Sequence, residues 1–432
     1  MELSESFTSS LDLKNHPMKN AKTKIKKQYY CVLRSFLYEI DKSDFALQRI
    51  KQYENFMNKG KHINGNLKIQ SLIDKMIVCK QKPWRKNYKY LMLCDLALIL
   101  LNTEKVEEAA ELIEKYVSPY YKKQINYLFE ILKKPNSDIT NFIYAKDLIE
   151  QYWKNKQFLD KKELKIIVTA NMSAGKSTLI NALVGKEITR TSQEVCTGNA
   201  CYILNKPFED NRIHLKTSEL FLNADYKKLR SYKWEDSISI ASFFRGFGSD
   251  EKRVCIIDTP GVNSSMNPVH SKITKEVIKK EKYDILLYIL NASKLGTDEE
   301  IAYLKWVSNN VPKKKVIFVL NKVDNFKISE DSIEESINKV KNDLVSLGYK
   351  DPIICPISAY YALLLKKKYY DNALTEDEED EYFLYSKKFK KDEYDLSRYY
   401  KKKYESKEEF NLMTIKCGFY NLEKLIYEGM II

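Results

Sequence analysis

The stretch that most limits what this chain can fold into is Ile167–Gly185, IVTANMSAGKSTLINALVG. An apolar, β-branched run from Leu164 to Val168 suits a buried strand. It breaks into small and polar residues, reaches Gly175-Lys176-Ser177, and resumes with Leu179, Ile180, Ala182 and Leu183 at helical spacing. A strand, a tight loop and a helix in that order, with a lysine at the turn, is the layout of the phosphate-binding loop G-x-x-x-x-G-K-[ST]. Its backbone N–H groups curl around an anion while the helix turns its positive end to the same point. Ala170 holds the first glycine position, one methyl larger than the pattern and unsuited to φ > 0.

Three further strand-ending segments follow in order. Arg253–Asp258, RVCIID, is a buried-strand pattern that runs into Asp258-Thr259-Pro260-Gly261. A carboxylate at that place can hold Mg2+, and Gly261 lets a backbone N–H approach a terminal phosphate. Lys315–Leu320, KVIFVL, ends in Asn321-Lys322-Val323-Asp324. The Asp324 carboxylate can accept from both N1–H and the 2-amino group of guanine, a pair adenine lacks. Asn321 would fix the purine and tether the loop, and the Lys322 stem can lie along the ring face. Pro352–Ile357, PIICPI, ends in Ser358-Ala359, where a backbone N–H would meet the guanine carbonyl. Ligands of open α/β sheets bind at the carboxyl ends of strands. The expected fold is therefore an α/β P-loop GTPase domain, a mostly parallel sheet with helices on both faces, preceded by an all-α N-terminal domain. Its nucleotide-binding residues are Asn171, Ala174, Gly175, Lys176, Ser177, Thr178, Gly261, Asn321, Lys322, Asp324, Ser358 and Ala359.

The set ANMSAGKST, DTPGV and NKVD resembles the dynamin-like large GTPases, particularly the bacterial dynamin family, over roughly residues 160–360 and the final helix. Ser173, three residues before the lysine, favours that branch; small ribosome-assembly and tRNA-modifying GTPases often have asparagine there. The segment TRTSQEVCTGNACYIL resembles the family's switch, and on that resemblance Thr197 is the threonine closing over Mg2+ and the γ-phosphate, with Thr189 and Thr191 as competitors. Lys176 would neutralise phosphate charge, Ser177 and Thr197 would ligate Mg2+, and Asp258 would reach the metal through water. Ras-like proteins orient the attacking water with a glutamine that follows DxxG; Val262 stands there and has no hydrogen-bonding group. The resemblance assigns that work to Ser173 and a monovalent cation, K+ or Na+, organised when two GTPase domains dimerise. It further implies a cytoplasmic protein, peripheral at an anionic membrane or acting with a partner protein that supplies the stalk that full dynamin-like proteins carry. Two other readings are a regulatory GTPase acting on RNA or ribosomes and a scaffold that binds GTP without hydrolysing it.

Composition bounds the rest. The net charge is +14, mostly from lysine spread along every segment, the pattern of a solvated surface more than of a nucleic-acid patch. Eight cysteines without C-x-x-C pairs and only four histidines point to a reduced setting without structural zinc. Cys196 and Cys201 flank the switch segment and read as small half-buried residues. Leu91–Leu101, LMLCDLALILL, is short and broken by Asp95, which makes it a buried helix and not a span. Residues 1–20 are polar and read as a disordered tail, 21–160 as the helical domain, and 161–432 as the GTPase domain. Around 93–116 a tetratricopeptide-like hairpin turns at Asn102-Thr103. Thr297-Asp298-Glu299-Glu300 reads as a capping box, and Gly348 as the stop of the helix over Ile333–Leu347. A charged insert at about 362–412 sets an acidic block, TEDEEDEYF, before a basic, tyrosine-rich one, and the closing CGFYNLEKLIYEGMII resembles the last helix of the GTPase domain.

Overall fold

The computed structural model describes residues 5–59, 69–78, 87–189, 200–231, 238–246, 248, 251–262, 268–327 and 330–428. The chain divides into two compact units. The first comprises Met1–Lys161 with Lys206–His214 and Glu219–Asn223, the second Lys162–Asn205, Leu215–Ser218 and Ala224–Ile432.

The first unit is helical: α1 (Thr23–Ile40), α2 (Asp44–Asn58), α3 (Ile69–Ile73), α4 (Tyr88–Leu100), α5 (Thr103–Glu114), α6 (Pro119–Lys133) and α7 (Lys146–Leu159). Helix α4 is apolar on every face, which requires burial on every side. It packs against α1, α2, α5, α6 and α7. Asp95 on this helix is fully buried. Its carboxylate accepts from Tyr29 Oη (2.6 Å) and Tyr53 Oη (3.1 Å), and His16 Nε2 lies 3.0 Å away. Three polar partners make tolerable a charge that would otherwise be costly at this depth. The α4–α5 hairpin turns at Asn102, whose side chain accepts from the Lys105 N–H, and the buried Ala109 and Ala110 let the helices approach closely.

The N-terminal segment differs from the expected disordered tail. Phe7, Leu11, Leu13 and Met18 are buried. Their polar neighbours find specific partners: Ser10 exchanges two backbone hydrogen bonds with the Asn155 amide, and the Leu11 N–H donates to Asp210 Oδ2. Local polarity read as disorder because every one of these partners is distant in sequence.

The second unit is built on strands β1 (Glu163–Ala170), β2 (Cys201–Asn205), β3 (His214–Lys216, most of which lies in this unit), β5 (Ile238–Ser242), β6 (Arg253–Asp258), β7 (Ile285–Asn291), β8 (Val316–Asn321) and β9 (Ile353–Pro356). The short β4 (Leu220–Phe221) belongs to the first unit. From β5 the strand order runs β5-β2-β6-β1-β7-β8-β9. Every pairing among these is parallel except β2 with β6. The β-branched runs are buried on both faces, as strands covered by helices require. The helices of this unit are α8 (Lys176–Val184), α9 (Tyr226–Ser231), α10 (Pro268–Lys280), α11 (Asp298–Asn310), α12 (Ile333–Ser346), α13 (Ala359–Asp371), α14 (Glu376–Phe389), α15 (Glu409–Lys416) and α16 (Phe419–Glu428). This is the mostly parallel α/β architecture that the strand-ending motifs imply.

Register places the motifs together. Val168 pairs with Asp258, Asn291 with Asn321, and Leu320 with Pro356, so β1, β6, β7, β8 and β9 present their carboxyl ends along one edge. Gly348 follows α12 at φ 85°, a left-handed position that favours glycine. At α11 only half of the expected capping box forms. The Thr297 hydroxyl accepts from the Glu300 N–H, while the Glu300 carboxylate turns to the Gly296 N–H at 3.1 Å. The charged insert begins later than residue 362, because Ala362, Leu363, Leu364 and Leu365 are buried in α13. Among the described residues no helix is long and apolar enough to cross a membrane.

Candidate guanine-nucleotide site

Strand β1 ends at Ala170, and the loop Asn171–Gly175 leads into α8, whose N-cap is Gly175 at φ 90°. The glycine is required twice. A Cβ there would adopt a left-handed backbone and stand 2.4 Å from Asn321 Nδ2. Ser173 also sits in the left-handed region, at φ 63°, an uncommon backbone for a non-glycine residue. Three contacts hold the loop in place: Asn321 Nδ2 donates to the Ala174 carbonyl (2.9 Å), Asn291 Nδ2 to the Ser173 carbonyl (3.3 Å), and the Val262 N–H to the Ala170 carbonyl (3.2 Å). The first-turn N–H groups of α8, next to a lysine, form an anion-binding end.

Lys176 Nζ is ion-paired with Asp258 Oδ1, so the lysine of one motif and the carboxylate of another reach the same point. Ser177 and Thr178 lie half-buried in the first turn of α8. The Ser177 hydroxyl and the Asp258 carboxylate are hard oxygen donors of the kind Mg2+ takes. Among the described residues no cluster of three His, Cys, Asp or Glu forms a protein cage. Such a donor set fits a cation shared with phosphate oxygens and water. Gly261 lies against Met172 of the loop, 3.4 Å separating Met172 Cγ from a Cβ built at the glycine. The Val262 side chain is buried, in keeping with its lack of any polar role.

Of the threonine candidates, Thr191 and Thr197 lie outside the described residues, as does Cys196. Thr189 is buried and committed elsewhere. Its hydroxyl donates toward Asn181 Oδ1 (2.9 Å), which also accepts from the Ile188 and Thr189 N–H groups. Thr189 therefore knots the end of α8 to the chain that follows it.

At the other end, Asn321 is a bridge. Its Nδ2 holds the phosphate loop and its Oδ1 accepts from the Ala359 N–H at 3.1 Å. Lys322 takes φ 68°, turning the chain so that Asp324 points into the protein. Asp324 is 7% exposed, and its Oδ1 has no hydrogen-bond partner among the described residues. Burial pushes this carboxyl up from the ordinary carboxylate range, opposed by the Ser358 hydroxyl and by the charges of Lys388 and Lys322. A buried carboxylate oxygen with open lone pairs suits a ligand edge with two adjacent N–H groups. Ser358 and Ala359 do something other than expected. The Ser358 N–H donates to the Cys417 carbonyl and the Ala359 N–H to Asn321, so this segment braces the base-reading loop.

Two contributors escaped the sequence reading. Asn291 supports Ser173 from the end of β7, a position signalled only by an asparagine closing the run ILLYILN. Lys388 and Tyr394 reach the base loop from more than sixty residues away, and no local pattern marks them.

Comparison with known proteins agrees with this geometry. The model of the dynamin family matches residues 166–323. The probable transmembrane GTPase FZO-like, chloroplastic, of Arabidopsis thaliana is 27% identical over 209 residues, covering 48% of this chain and 20% of that protein. Dynamin-like protein A of Bacillus subtilis is 25% identical over 193 residues, covering 43% and 16% respectively. The aligned stretch thus spans a fifth or less of those two relatives. A solved structure of Toc33 from Arabidopsis thaliana, in complex with Mg2+ and GMPPNP, aligns at 16% identity and a TM-score of 0.33 over 66% of this chain and 92% of that one. The phosphate loop, the strand-end aspartate and the base-reading tetrapeptide lie within the matched segment or one residue past it, and the chain carries a P-loop GTPase domain of the dynamin superfamily.

Proposed function

We propose that the second unit binds GTP with Mg2+ and hydrolyses it to GDP and phosphate, and that nucleotide-dependent dimerisation couples this turnover to a membrane surface or a partner protein. The observation that carries the reading is Asp324 Oδ1, a buried acceptor without a partner among the described residues, on a loop that Asn321 ties to the phosphate loop. In GTP binding, Lys176 leaves Asp258 for the β- and γ-phosphates. Ser177 and, through water, Asp258 would hold Mg2+, which would supply charge neutralisation at the phosphates, with Thr197 as the further ligand that the family resemblance implies. The water oxygen bonds to the γ-phosphorus as the bond to the β–γ bridging oxygen breaks, and the water proton ends on the released phosphate. The buried apolar Val262 supports a water-orienting group supplied from elsewhere, Ser173 with K+ or Na+ at a dimer of GTPase domains.

The test is GTP turnover in Mg2+ and K+ across a protein dilution series, beside Lys176→Ala and with anionic liposomes. Specific activity should climb with protein concentration, rise on liposomes, and vanish in the variant. Activity flat across the series removes dimerisation; stimulation by RNA in place of liposomes favours the regulatory reading. Tight GTP binding without turnover under every condition leaves a scaffold.

A further inference from the structure

The acidic block of the charged insert forms helix α14, which is anchored at both ends. The acidic first turn pairs with lysines of α13: Glu378 with Lys367, and Glu379 with Lys368 at 2.5 Å. The Thr375–Glu378 capping box fixes where α14 starts. Toward its end, Ser386 hydrogen bonds Tyr361 and Phe389 stacks on the same ring at 5.1 Å between centroids. Among the described residues, the ion pairs of the α14 carboxylates run to the helix before it, α13.

The last turn of α14 then meets the base-reading loop. Lys388 Nζ donates to the Asp324 carbonyl (2.5 Å) and the Phe326 carbonyl (2.6 Å). Tyr394 Oη donates to the Phe326 carbonyl at 3.1 Å, and the Lys388 ammonium lies 4.5 Å from the centre of the Tyr394 ring. One cation and one phenol thus grip the backbone on both sides of Asn325, immediately at the residue whose carboxylate reads the base.

We propose that Lys388 and Tyr394 are positioning residues for guanine, and that through them the insert sets the affinity and base discrimination of the nucleotide site. This rests on the guanine reading of that site. The Asp324 carboxylate can meet two N–H groups only if its main chain is fixed to within a fraction of an ångström. The Lys388 charge also opposes the burial that disfavours the Asp324 carboxylate. By linkage, whatever shifts α14 changes guanine affinity, and guanine changes the ordering of α14 by the same factor.

The test compares equilibrium binding of GDP and IDP, whose base lacks the 2-amino group, to wild type, Lys388→Met, Lys388→Arg and Lys387→Met. Two lost charge-assisted hydrogen bonds predict GDP binding about tenfold weaker in Lys388→Met, with the GDP-over-IDP preference falling toward one. Lys388→Arg should restore much of both, and Lys387→Met should match wild type. Tyr394→Phe, which loses one hydroxyl, should weaken GDP about threefold. In wild type, GDP should slow amide hydrogen exchange across residues 376–394. Wild-type discrimination retained in Lys388→Met, or exchange in α14 indifferent to GDP, overturns the proposal. Should Lys388→Met fail to fold, the Tyr394→Phe and wild-type exchange results decide in the same way. Wild type that binds no guanine nucleotide overturns the guanine reading itself, a result distinct from wild type that binds GDP with α14 unaffected.

Discussion

Replacing Asp324 by asparagine should move stability and binding in opposite directions. Asp324 is buried, its Oδ1 is unpartnered among the described residues, and burial raises its carboxyl above the ordinary range. A carboxyl raised in the folded state makes the native protein bind more protons than the unfolded chain between the two pKa values. Stability is therefore lost as pH rises through that window, which opens near the ordinary value of about 3.9. The asparagine carries no charge, so the free variant should unfold at a higher temperature than wild type, with a gap that widens as pH rises from about 4 and then levels. Binding should fall. Two hydrogen bonds from guanine N1–H and the 2-amino group to a charged acceptor contribute about 1.5–3 kcal/mol each, so the variant should bind GDP on the order of 10²–10⁴-fold more weakly. An amide presents one acceptor and one donor, which matches N1–H and the 2-carbonyl of xanthine, so the variant should prefer XDP over GDP. Differential scanning fluorimetry across pH and competition binding with GDP, XDP and ADP read both effects. A variant that is less stable than wild type at neutral pH, or that keeps its guanine preference, refutes the reasoning.

Two further substitutions follow from the geometry. Gly175→Ala forces a left-handed alanine and drives a methyl into the Asn321 amide. A cost of about 2 kcal/mol predicts a melting temperature of the second unit lower by roughly 4–8 °C, together with loss of nucleotide binding. An unchanged melting temperature with normal binding contradicts the assigned role of the glycine. Asp95→Ala leaves Tyr29, Tyr53 and His16 without their shared acceptor. Breaking such a buried site should destabilise the first unit by about 3–5 kcal/mol in urea denaturation; a loss below about 1 kcal/mol would show that the carboxylate is a burden and not a support.

What the sequence discloses depends on how local each constraint is. The strand before Asn171, the helix after Lys176 and the strands ending at Asp258 and Asn321 are legible because apolar runs and their punctuation are set within about ten residues. Asn321 as a tether is legible too, from the chemistry of its amide. The bonds that decide the rest join distant positions. Ser10 needs Asn155 and Leu11 needs Asp210, so a polar tail becomes a packed segment. Lys388 needs the Asp324 carbonyl, which no charge pattern foretells. Ser358 and Ala359 follow β9, but their N–H groups are drawn off by Cys417 and Asn321, partners visible only in three dimensions.

The central claim is that this site takes guanine nucleotides through Lys176 at the phosphates and Asp324 at the base. The most direct measurement is calorimetric titration of wild type and Lys176→Ala with a non-hydrolysable GTP analogue and its adenine counterpart in Mg2+. The account predicts guanine binding tighter than adenine binding by at least about a hundredfold, lost in the variant, since unpaired polar groups penalise the wrong base heavily. Equal affinity for the two bases, or guanine binding that survives without Lys176, would contradict it.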